Sequence, residues 1–253
     1  MSNFKIDIIP CLNDNYSYIL SIDKDALVID PGEARPIIDF LKKNNLDLKY
    51  ILNTHHHFDH VGGNLELKTK YKALIAGSER DKERIPGIDI FLNEGEKFYF
   101  NHYEFEIMNV PGHTSECIAY YIKSENAIFT GDAVFSLGCG RLFEGSPKQM
   151  WHSICKIKSL PDNTLIYCGH EYTASNAKFV QSINDNEQIK LKIIRIKELR
   201  EKNIPTIPTT IAEEKELNIF FQADQDNIKD LLSNKNISDE EAFTRIRSAK
   251  DAF

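Results

Sequence analysis

Residues 54–63, THHHFDHVGG, follow an apolar run and carry four of the chain's eight histidines beside an aspartate. Neither helix packing nor a solvated loop needs so many imidazoles. Nitrogen ligands with a carboxylate suit zinc, iron or manganese. The lack of a cysteine thiolate nearby further narrows the set of metal ions that these donors suit. The apolar run before the segment and the Gly-Gly pair after it fix the loop geometry. This favours a built metal site over a surface histidine run that binds metal adventitiously.

The spacing within this segment predicts two ion positions. Residues i and i+2 of an extended chain point to the same side, so His55 and His57 can bind one ion while His56 faces away. If the chain then turns, Asp59 and His60 reach a second position nearby. Zinc motifs on helices instead pair histidines four residues apart, with a glutamate between them.

Three further loops offer ligands for the same site. His113 in VPGHTSE, Asp132 in IFTGD and His170 in YCGHEYT each follow a β-type run that ends at a glycine turn. Such loops converge on one rim in layered α/β folds. We therefore expect these three residues to complete the site. Cys168, two residues before His170, is expected to be a buried strand residue rather than a ligand.

Composition limits the classes of partner. The 253 residues carry a formal net charge of −7, which argues against the basic surface that non-specific nucleic-acid binding needs. No signal peptide and no long apolar run is recognisable. The five cysteines are odd in number and lack CxxC spacing, which favours reduced thiols. We expect a cytoplasmic monomer with no nucleic-acid or membrane partner.

The patterning predicts a mixed α/β chain. Short β-type runs such as YSYILSI and CIAYYI fill the first two-thirds, with helices at RPIIDFLKKNN and PKQMWHSICKIKSL. After about Tyr172 the pattern becomes helical. We therefore divide the chain into residues 1–172, a layered β/α domain, and residues 173–253, a helical domain. Ser238 followed by Glu241 predicts a capping box at the start of the last helix.

The motifs THHHFDH, GHTSE, GDAVF and CGHEYT, in this order and spacing, resemble those of the metallo-β-lactamase superfamily. Three further motifs, GCGRLFEG, PTIPTTIAEE and RIRSAKDAF, make the chain similar to the glyoxalase II (hydroxyacylglutathione hydrolase) family over essentially its whole length. The resemblance implies an αββα sandwich followed by a C-terminal α-helical substrate-binding domain. It also implies two divalent metal ions, with zinc favoured and iron or manganese as alternatives.

The resemblance assigns ligands by position. They are His55, His57 and His113 for the first ion, Asp59, His60 and His170 for the second, and Asp132 bridging the two. Asp30, in VIDPG, resembles the superfamily's aspartate that orients a ligand. A turn aspartate at a strand end is the alternative reading of that residue.

The implied reaction is hydrolysis of S-D-lactoylglutathione to D-lactate and glutathione, a step of methylglyoxal detoxification. A metal-bridging hydroxide would attack the acyl carbonyl, because bound metal ions sharply lower the pKa of water. A thiolate leaves easily, so no strong general acid is required.

The residues that match substrate-binding positions are Arg141, Leu142, Phe143, Tyr172, Arg247 and Lys250. Some family members have Lys in place of Arg141 and Tyr in place of Phe143, so we expect substrate affinity or acyl selectivity to differ from theirs. Without the resemblance, Arg247 and Lys250 would be assigned as solvated cations near a helix C-terminus.

Other activities stay open at this point. A persulfide dioxygenase with one iron on the same fold would use only part of the ligand set. The presence of both His60 and His170, and of the RSAK segment, argues against it. A nuclease of the superfamily conflicts with the net acidity of the chain. A metal-binding module without activity is the remaining alternative.

Overall fold

The computed structural model describes residues 4–232 and 236–253. The strands are β1 (Lys5–Cys11), β2 (Asn15–Ile22), β3 (Asp25–Ile29), β4 (Asp47–Leu52), β5 (Leu74–Ser78), β6 (Ile90–Leu92), β7 (Lys97–Phe100), β8 (Tyr103–Asn109), β9 (Ile118–Ile122), β10 (Ala127–Gly131), β11 (Val134–Phe135), β12 (Gly138–Cys139), β13 (Leu165–Cys168) and β14 (Thr209–Thr210). The helices are α1 (Ala34–Asn44), α2 (Phe58–Val61), α3 (Asn64–Tyr71), α4 (Pro147–Lys158), α5 (Thr173–Ile183), α6 (Glu187–Glu201), α7 (Ile211–Leu217), α8 (Asp226–Leu231) and α9 (Asp239–Ala252). The predicted mixed α/β class is confirmed.

The described residues form two compact units. Unit 1 contains the residues up to Asn109, together with Glu116–Glu125 and Phe129–Gly131. Unit 2 contains Val110–Ser115, Asn126–Ile128 and the described residues from Asp132 onward.

A six-stranded sheet in the order β1 to β6 forms the framework of unit 1. Strands β1, β2 and β3 pair antiparallel, whereas β3, β4, β5 and β6 pair parallel. Helix α1 links β3 to β4, and helices α2 and α3 link β4 to β5, which is the crossover connection that parallel pairing requires. Every residue of β2 is buried, as expected for a central strand covered on both faces.

One face of this sheet packs against α1 and α3. Helix α1 buries Ala34, Ile37, Ile38 and Leu41, a spacing that places these side chains on a single stripe. They join a core that includes Val28 and other apolar residues of the sheet.

The other face packs against further strands of unit 1. Strands β7, β8 and β9 form antiparallel pairs. The Tyr50 ring of β4 lies 5.0 Å from Phe98 of β7, and the Tyr18 ring of β2 lies 5.2 Å from Phe129 of β10. These edge contacts are the preferred geometry of buried aromatic pairs. Unit 1 is therefore layered, with helices on one side of a pair of stacked sheets.

Unit 2 is mainly helical around a short β-structure. Strands β13 and β14 pair antiparallel, and so do β11 and β12, which form a hairpin. An aromatic core joins helices α4, α5 and α9. Trp151 and Phe220 each lie 5.9 Å from the Phe243 ring, and Phe220 lies 6.0 Å from Phe179.

The capping box predicted at the start of the last helix is only partly formed. Ser238 caps α9 by accepting the Glu241 N–H, but the Glu241 carboxylate pairs with Arg245 at 2.9 Å. The complete capping box instead lies at α4, between Ser146 and Gln149. No helix among the described residues is long and apolar enough to cross a membrane.

Tyr120 offers a test of the packing in unit 1. Its ring is fully buried, and its hydroxyl donates to the Asn53 carbonyl at 2.7 Å, immediately before the histidine segment. Tyr120→Phe leaves that carbonyl without its donor, so we expect the free energy of unfolding to fall by about 1–3 kcal/mol. Urea denaturation measures this. The control Tyr99→Phe, at an exposed tyrosine, should change stability by less than about 0.5 kcal/mol. Equal effects of the two substitutions would contradict the role of the buried bond.

Candidate metal centre

Asp30 anchors the histidine segment. Strands β3 and β4 are parallel neighbours that end side by side, so the residues after them leave the sheet at the same edge. The Asp30 N–H donates to the Leu52 carbonyl at 2.9 Å. The Asp30 carboxylate accepts the Thr54 N–H at 2.8 Å, the Thr54 hydroxyl at 2.6 Å and His60 Nδ1 at 3.0 Å. One buried side chain thus fixes both ends of the segment, and the expected contact from Asp30 to a histidine is confirmed.

These bonds determine which nitrogen carries the proton in two histidines. A carboxylate only accepts, so His60 Nδ1 carries a hydrogen and its Nε2 is the nitrogen that remains for a ligand role. The Thr54 hydroxyl gives its hydrogen to Asp30 and therefore accepts from His55 Nδ1, at 3.0 Å. His55 Nε2 likewise remains for a ligand role. Ligating atoms of Asp30, His55 and His60 lie within 4.8 Å of one another.

His57 and Asp59 complete this group in unit 1. The His57 and His55 rings lie 4.7 Å apart, and His57 is the N-cap of α2. An Asp59 carboxylate oxygen lies 3.6 Å from His60 Nε2 and accepts from the Asn15 amide at 2.9 Å. Unit 1 therefore places all four predicted ligands of this segment close together.

His56 has a different partner. Its Nδ1 lies 3.0 Å from the carboxylate of the fully buried Asp81, whose other oxygen accepts from Arg84. His56 thus ties the segment to the loop after β5, a role that sequence spacing did not reveal. Gly62 serves tight packing rather than an unusual turn, because a Cβ there would lie 2.4 Å from the Gly32 carbonyl oxygen.

Unit 2 brings His113, Asp132 and His170 together. An Asp132 carboxylate oxygen lies 3.4 Å from His113 Nε2 and 3.2 Å from His170 Nε2. His113 Nδ1 donates to the Arg141 carbonyl at 2.9 Å, which directs Nε2 toward the Asp132 carboxylate. A divalent ion between Nε2 and the carboxylate oxygen would be attracted by both. Imidazole nitrogens oriented by outer hydrogen bonds and facing carboxylates are the donor set of divalent metal sites, so the residues fit such an ion.

The β11–β12 hairpin supplies the Arg141 carbonyl. Gly140 follows β12, and a Cβ there would lie 2.0 Å from the Asp132 carbonyl oxygen and 3.1 Å from the His113 ring. Only glycine fits at this distance. The chain after the hairpin is therefore packed directly against two residues of the group.

Two cysteines near this group are buried thiols. Cys168 Sγ donates to the His170 carbonyl at 3.5 Å, and burial raises its pKa to about 12. Burial likewise raises the pKa of Cys139 to about 11, although nearby Arg247 opposes the rise. The expectation that Cys168 is a buried strand residue is confirmed.

The aromatic and cationic residues predicted for substrate lie on three segments of unit 2. Arg141 and Phe143 are exposed, Leu142 is half-buried, and the Phe143 ring lies 5.3 Å from His113. The Tyr172 ring stacks on His170 at 4.6 Å.

Arg247 is only 4% exposed, so the alternative of a solvated cation is wrong for this residue. Its guanidinium donates to the Cys139 carbonyl at 3.0 Å and to Asp251 at 2.8 Å. Lys250 is half-buried, with its ammonium 5.1 Å from the Phe179 ring. Burial lowers the Lys250 pKa, and the charges of Arg247 and Arg141 lower it further. These three cations therefore form a locally positive area within an acidic chain.

Glu171 is a residue that the sequence reasoning missed. It follows His170 and accepts from the Thr206 N–H at 2.9 Å and the Thr206 hydroxyl at 2.6 Å. A glutamate directly after a candidate ligand was the available signal.

Comparison with known proteins agrees with this geometry. The family model described as metallo-beta-lactamase superfamily matches residues 12–170, and the one described as hydroxyacylglutathione hydrolase C-terminus matches residues 171–253. A protein of Pelagibacter ubique named hydroxyacylglutathione hydrolase is 49% identical, covering 98% of this chain and 100% of its own length.

Two solved structures share the fold. One is the B3 metallo-beta-lactamase BLEG-1, with a TM-score of 0.67 and 24% identity over 86% of this chain and 99% of that one. The other is ETHE1 from Myxococcus xanthus, with a TM-score of 0.67 and 22% identity over 99% of this chain and 98% of that one.

Asp30→Asn tests the anchor of the histidine segment. The substitution replaces one carboxylate oxygen, which accepts hydrogen bonds, with an NH2 group, which donates them. His60 and Thr54 therefore lose an acceptor that orients them. We expect affinity for a divalent ion to fall by about 10–100-fold. Metal content after dialysis against graded chelator concentrations measures this. Asp39→Asn, at an exposed helix residue, is the matched control and should retain wild-type affinity. Wild-type metal retention in Asp30→Asn would overturn the role given to Asp30.

Proposed function

Because the chain belongs to the hydroxyacylglutathione hydrolase family of the metallo-β-lactamase superfamily, we propose that it hydrolyses glutathione thioesters. The substrate is S-D-lactoylglutathione, and the products are D-lactate and glutathione. The observation that carries this proposal is full-length identity of 49% to a hydroxyacylglutathione hydrolase, including the C-terminal segment that is specific to that family.

We propose the ligands that the family pattern implies. They are His55, His57 and His113 for one ion, Asp59, His60 and His170 for the other, and Asp132 for both. The Nδ1 hydrogen bonds of His55, His60 and His113 support this assignment, since each leaves the ring's Nε2 for the ion. The donor set suits zinc, with iron or manganese as alternatives.

Divalent ions bound by these residues would activate water at neutral pH and polarise the acyl carbonyl. The chain's own contribution is orientation. Asp30 fixes the His60 ring, and the Arg141 carbonyl fixes the His113 ring, so neither has to reorganise during the reaction. The leaving thiolate needs no strong acid.

Substrate binding is assigned to unit 2. Glutathione carries a carboxylate at each end, and the positive area formed by Arg141, Arg247 and Lys250 matches that charge. Because Arg247 is buried and already donates to Cys139 and Asp251, we assign direct contact to Arg141 and Lys250 and a supporting position to Arg247. Tyr172, whose ring stacks on His170, is assigned to the glutathione peptide, and Leu142 and Phe143 are assigned to the approach to His113.

We further propose a division into residues 1–172, which carry the metal ligands, and residues 173–253, which bind substrate. The boundary between the two family-model matches, at residues 170 and 171, supports it. The protein is proposed to act as a cytoplasmic monomer without nucleic-acid or membrane partners.

Turnover tests the function directly. We expect loss of S-D-lactoylglutathione absorbance with the metal-replete protein, abolished by chelator and restored by added divalent ion. The absence of turnover in a metal-replete sample would overturn the assignment. In parallel, an oxygen electrode with glutathione persulfide tests the dioxygenase alternative. Oxygen uptake coupled to sulfite release would favour that alternative instead.

Lys250→Met tests recognition of the glutathione moiety. Loss of a charge-assisted contact should raise KM for S-D-lactoylglutathione by about tenfold. The lactoyl thioester of a small uncharged thiol should be hydrolysed as before. Lys178→Met, at an exposed lysine of α5, is the matched control. Equal losses on both substrates would mean that Lys250 is structural.

A further inference from the structure

We propose that Glu214 is a positioning residue for the reaction, holding the β11–β12 hairpin so that the Arg141 carbonyl and side chain keep their working positions. The inference rests on the proposed function for the roles of Arg141 and His113. It goes beyond that function by assigning a task to a buried carboxylate of α7, away from the reacting atoms.

Glu214 is fully buried and touches the hairpin turn directly. One carboxylate oxygen accepts the Leu137 N–H and the Asn218 amide, both at 2.8 Å. The other accepts the Thr209 hydroxyl at 2.8 Å. Leu137 has a φ of 59°, a conformation that is costly for a residue with a side chain and persists only where the surroundings fix it. The bond from Leu137 to Glu214 provides that constraint.

Side chains also hold the two residues beside Leu137. The Asn218 amide that donates to Glu214 also donates to the Gly138 carbonyl at 3.1 Å. The Asn176 amide donates to the Ser136 carbonyl at 3.1 Å. Three consecutive turn residues are thus held by α5 and α7 through side-chain hydrogen bonds.

The hydrogen bonds that hold the hairpin also restrict the metal-site residues of unit 2. Cys139 is held through its carbonyl by Arg247, and Gly140 lies against the Asp132 backbone without room to shift. The next residue, Arg141, accepts from His113 Nδ1. Three residues therefore separate Leu137 from Arg141, whose carbonyl orients His113, and each of the two after Gly138 is fixed by its own contact. A shift of Leu137 would therefore move the carbonyl that orients the His113 ring.

The hairpin needs an acceptor at Glu214 rather than a charge. Burial raises the Glu214 pKa to about 7, against the hydrogen bonds that lower it, so the protonated form is well populated near neutral pH. A glutamine keeps a carbonyl oxygen for Leu137 and Asn218, and its amide can donate to the Thr209 hydroxyl. A methionine of similar length offers no comparable acceptor and leaves buried donors without partners.

Glu214→Met and Glu214→Gln, compared as metal-replete full-length proteins, test the proposal. In Glu214→Met we expect amide hydrogen exchange of residues 136–141 to accelerate by about tenfold or more. We expect kcat/KM to fall by about tenfold, and the metal to be lost at lower chelator concentration. Glu214→Gln should stay within about threefold of wild type in all three measurements, since it keeps the acceptor.

Ile196→Ala is the control for general destabilisation, because it opens a cavity in α6, a helix that supplies none of the hydrogen bonds that hold the hairpin. It should leave hairpin exchange and kcat/KM unchanged. The proposal is overturned if Glu214→Met keeps wild-type hairpin exchange and kcat/KM, if Ile196→Ala shares its losses, or if glutamine does not rescue.

Asn218→Ala provides a second variant should Glu214→Met not fold. It removes the donor to Gly138, so we expect faster hairpin exchange, and wild-type exchange there would contradict the proposal. Hairpin exchange and metal retention do not depend on substrate. They therefore decide the role of Glu214 even if S-D-lactoylglutathione is not turned over and the proposed function fails.

Discussion

The arrangement of unit 1 depends on a single buried carboxylate at the ends of two parallel strands. Parallel pairing of β3 and β4 brings Asp30 beside Thr54, and three donors from the histidine segment converge on that side chain. A buried carboxylate is costly unless its lone pairs are filled, so the segment has little freedom to leave this conformation. The orientation of His55 and His60 follows from hydrogen bonds that exist without any ion. The site is therefore preorganised by the fold.

Unit 2 orients its histidine by a different route. His113 donates to a main-chain carbonyl, so the orientation of its ring depends on the position of the loop that carries this carbonyl. The loop is short and is held by side chains from helices far along the sequence. Helices α5 and α7 and Arg247 of α9 therefore restrict the loop that orients His113.

Residue pattern alone predicted the mixed α/β class, most strands and the convergence of the histidine segment with three later loops, of which the structure shows one group in unit 1 and one in unit 2. Those features follow from local signals: alternation, glycine turns and histidine spacing. The assignment of ligands to two ions and the identity of the substrate came from family resemblance. Spacing along the sequence cannot show which distant loops bind the same ion. Arg247 shows the limit of local reasoning. Its place near a helix end suits a solvated cation, yet tertiary packing buries it on Phe220. Similarly, the bond from Glu214 to Leu137 joins residues 77 positions apart, and no local pattern marks it.

The buried thiols have a chemical consequence beyond packing. Exchange with a disulfide requires the thiolate. With pKa values of about 11 and about 12, Cys139 and Cys168 are ionised in roughly one molecule in ten thousand or fewer at pH 7. Both side chains are also sealed from solvent. Neither thiol therefore supplies the thiolate that exchange with a disulfide needs at neutral pH. The packing around the hairpin and around the strand before His170 thus also makes these two cysteines chemically inert.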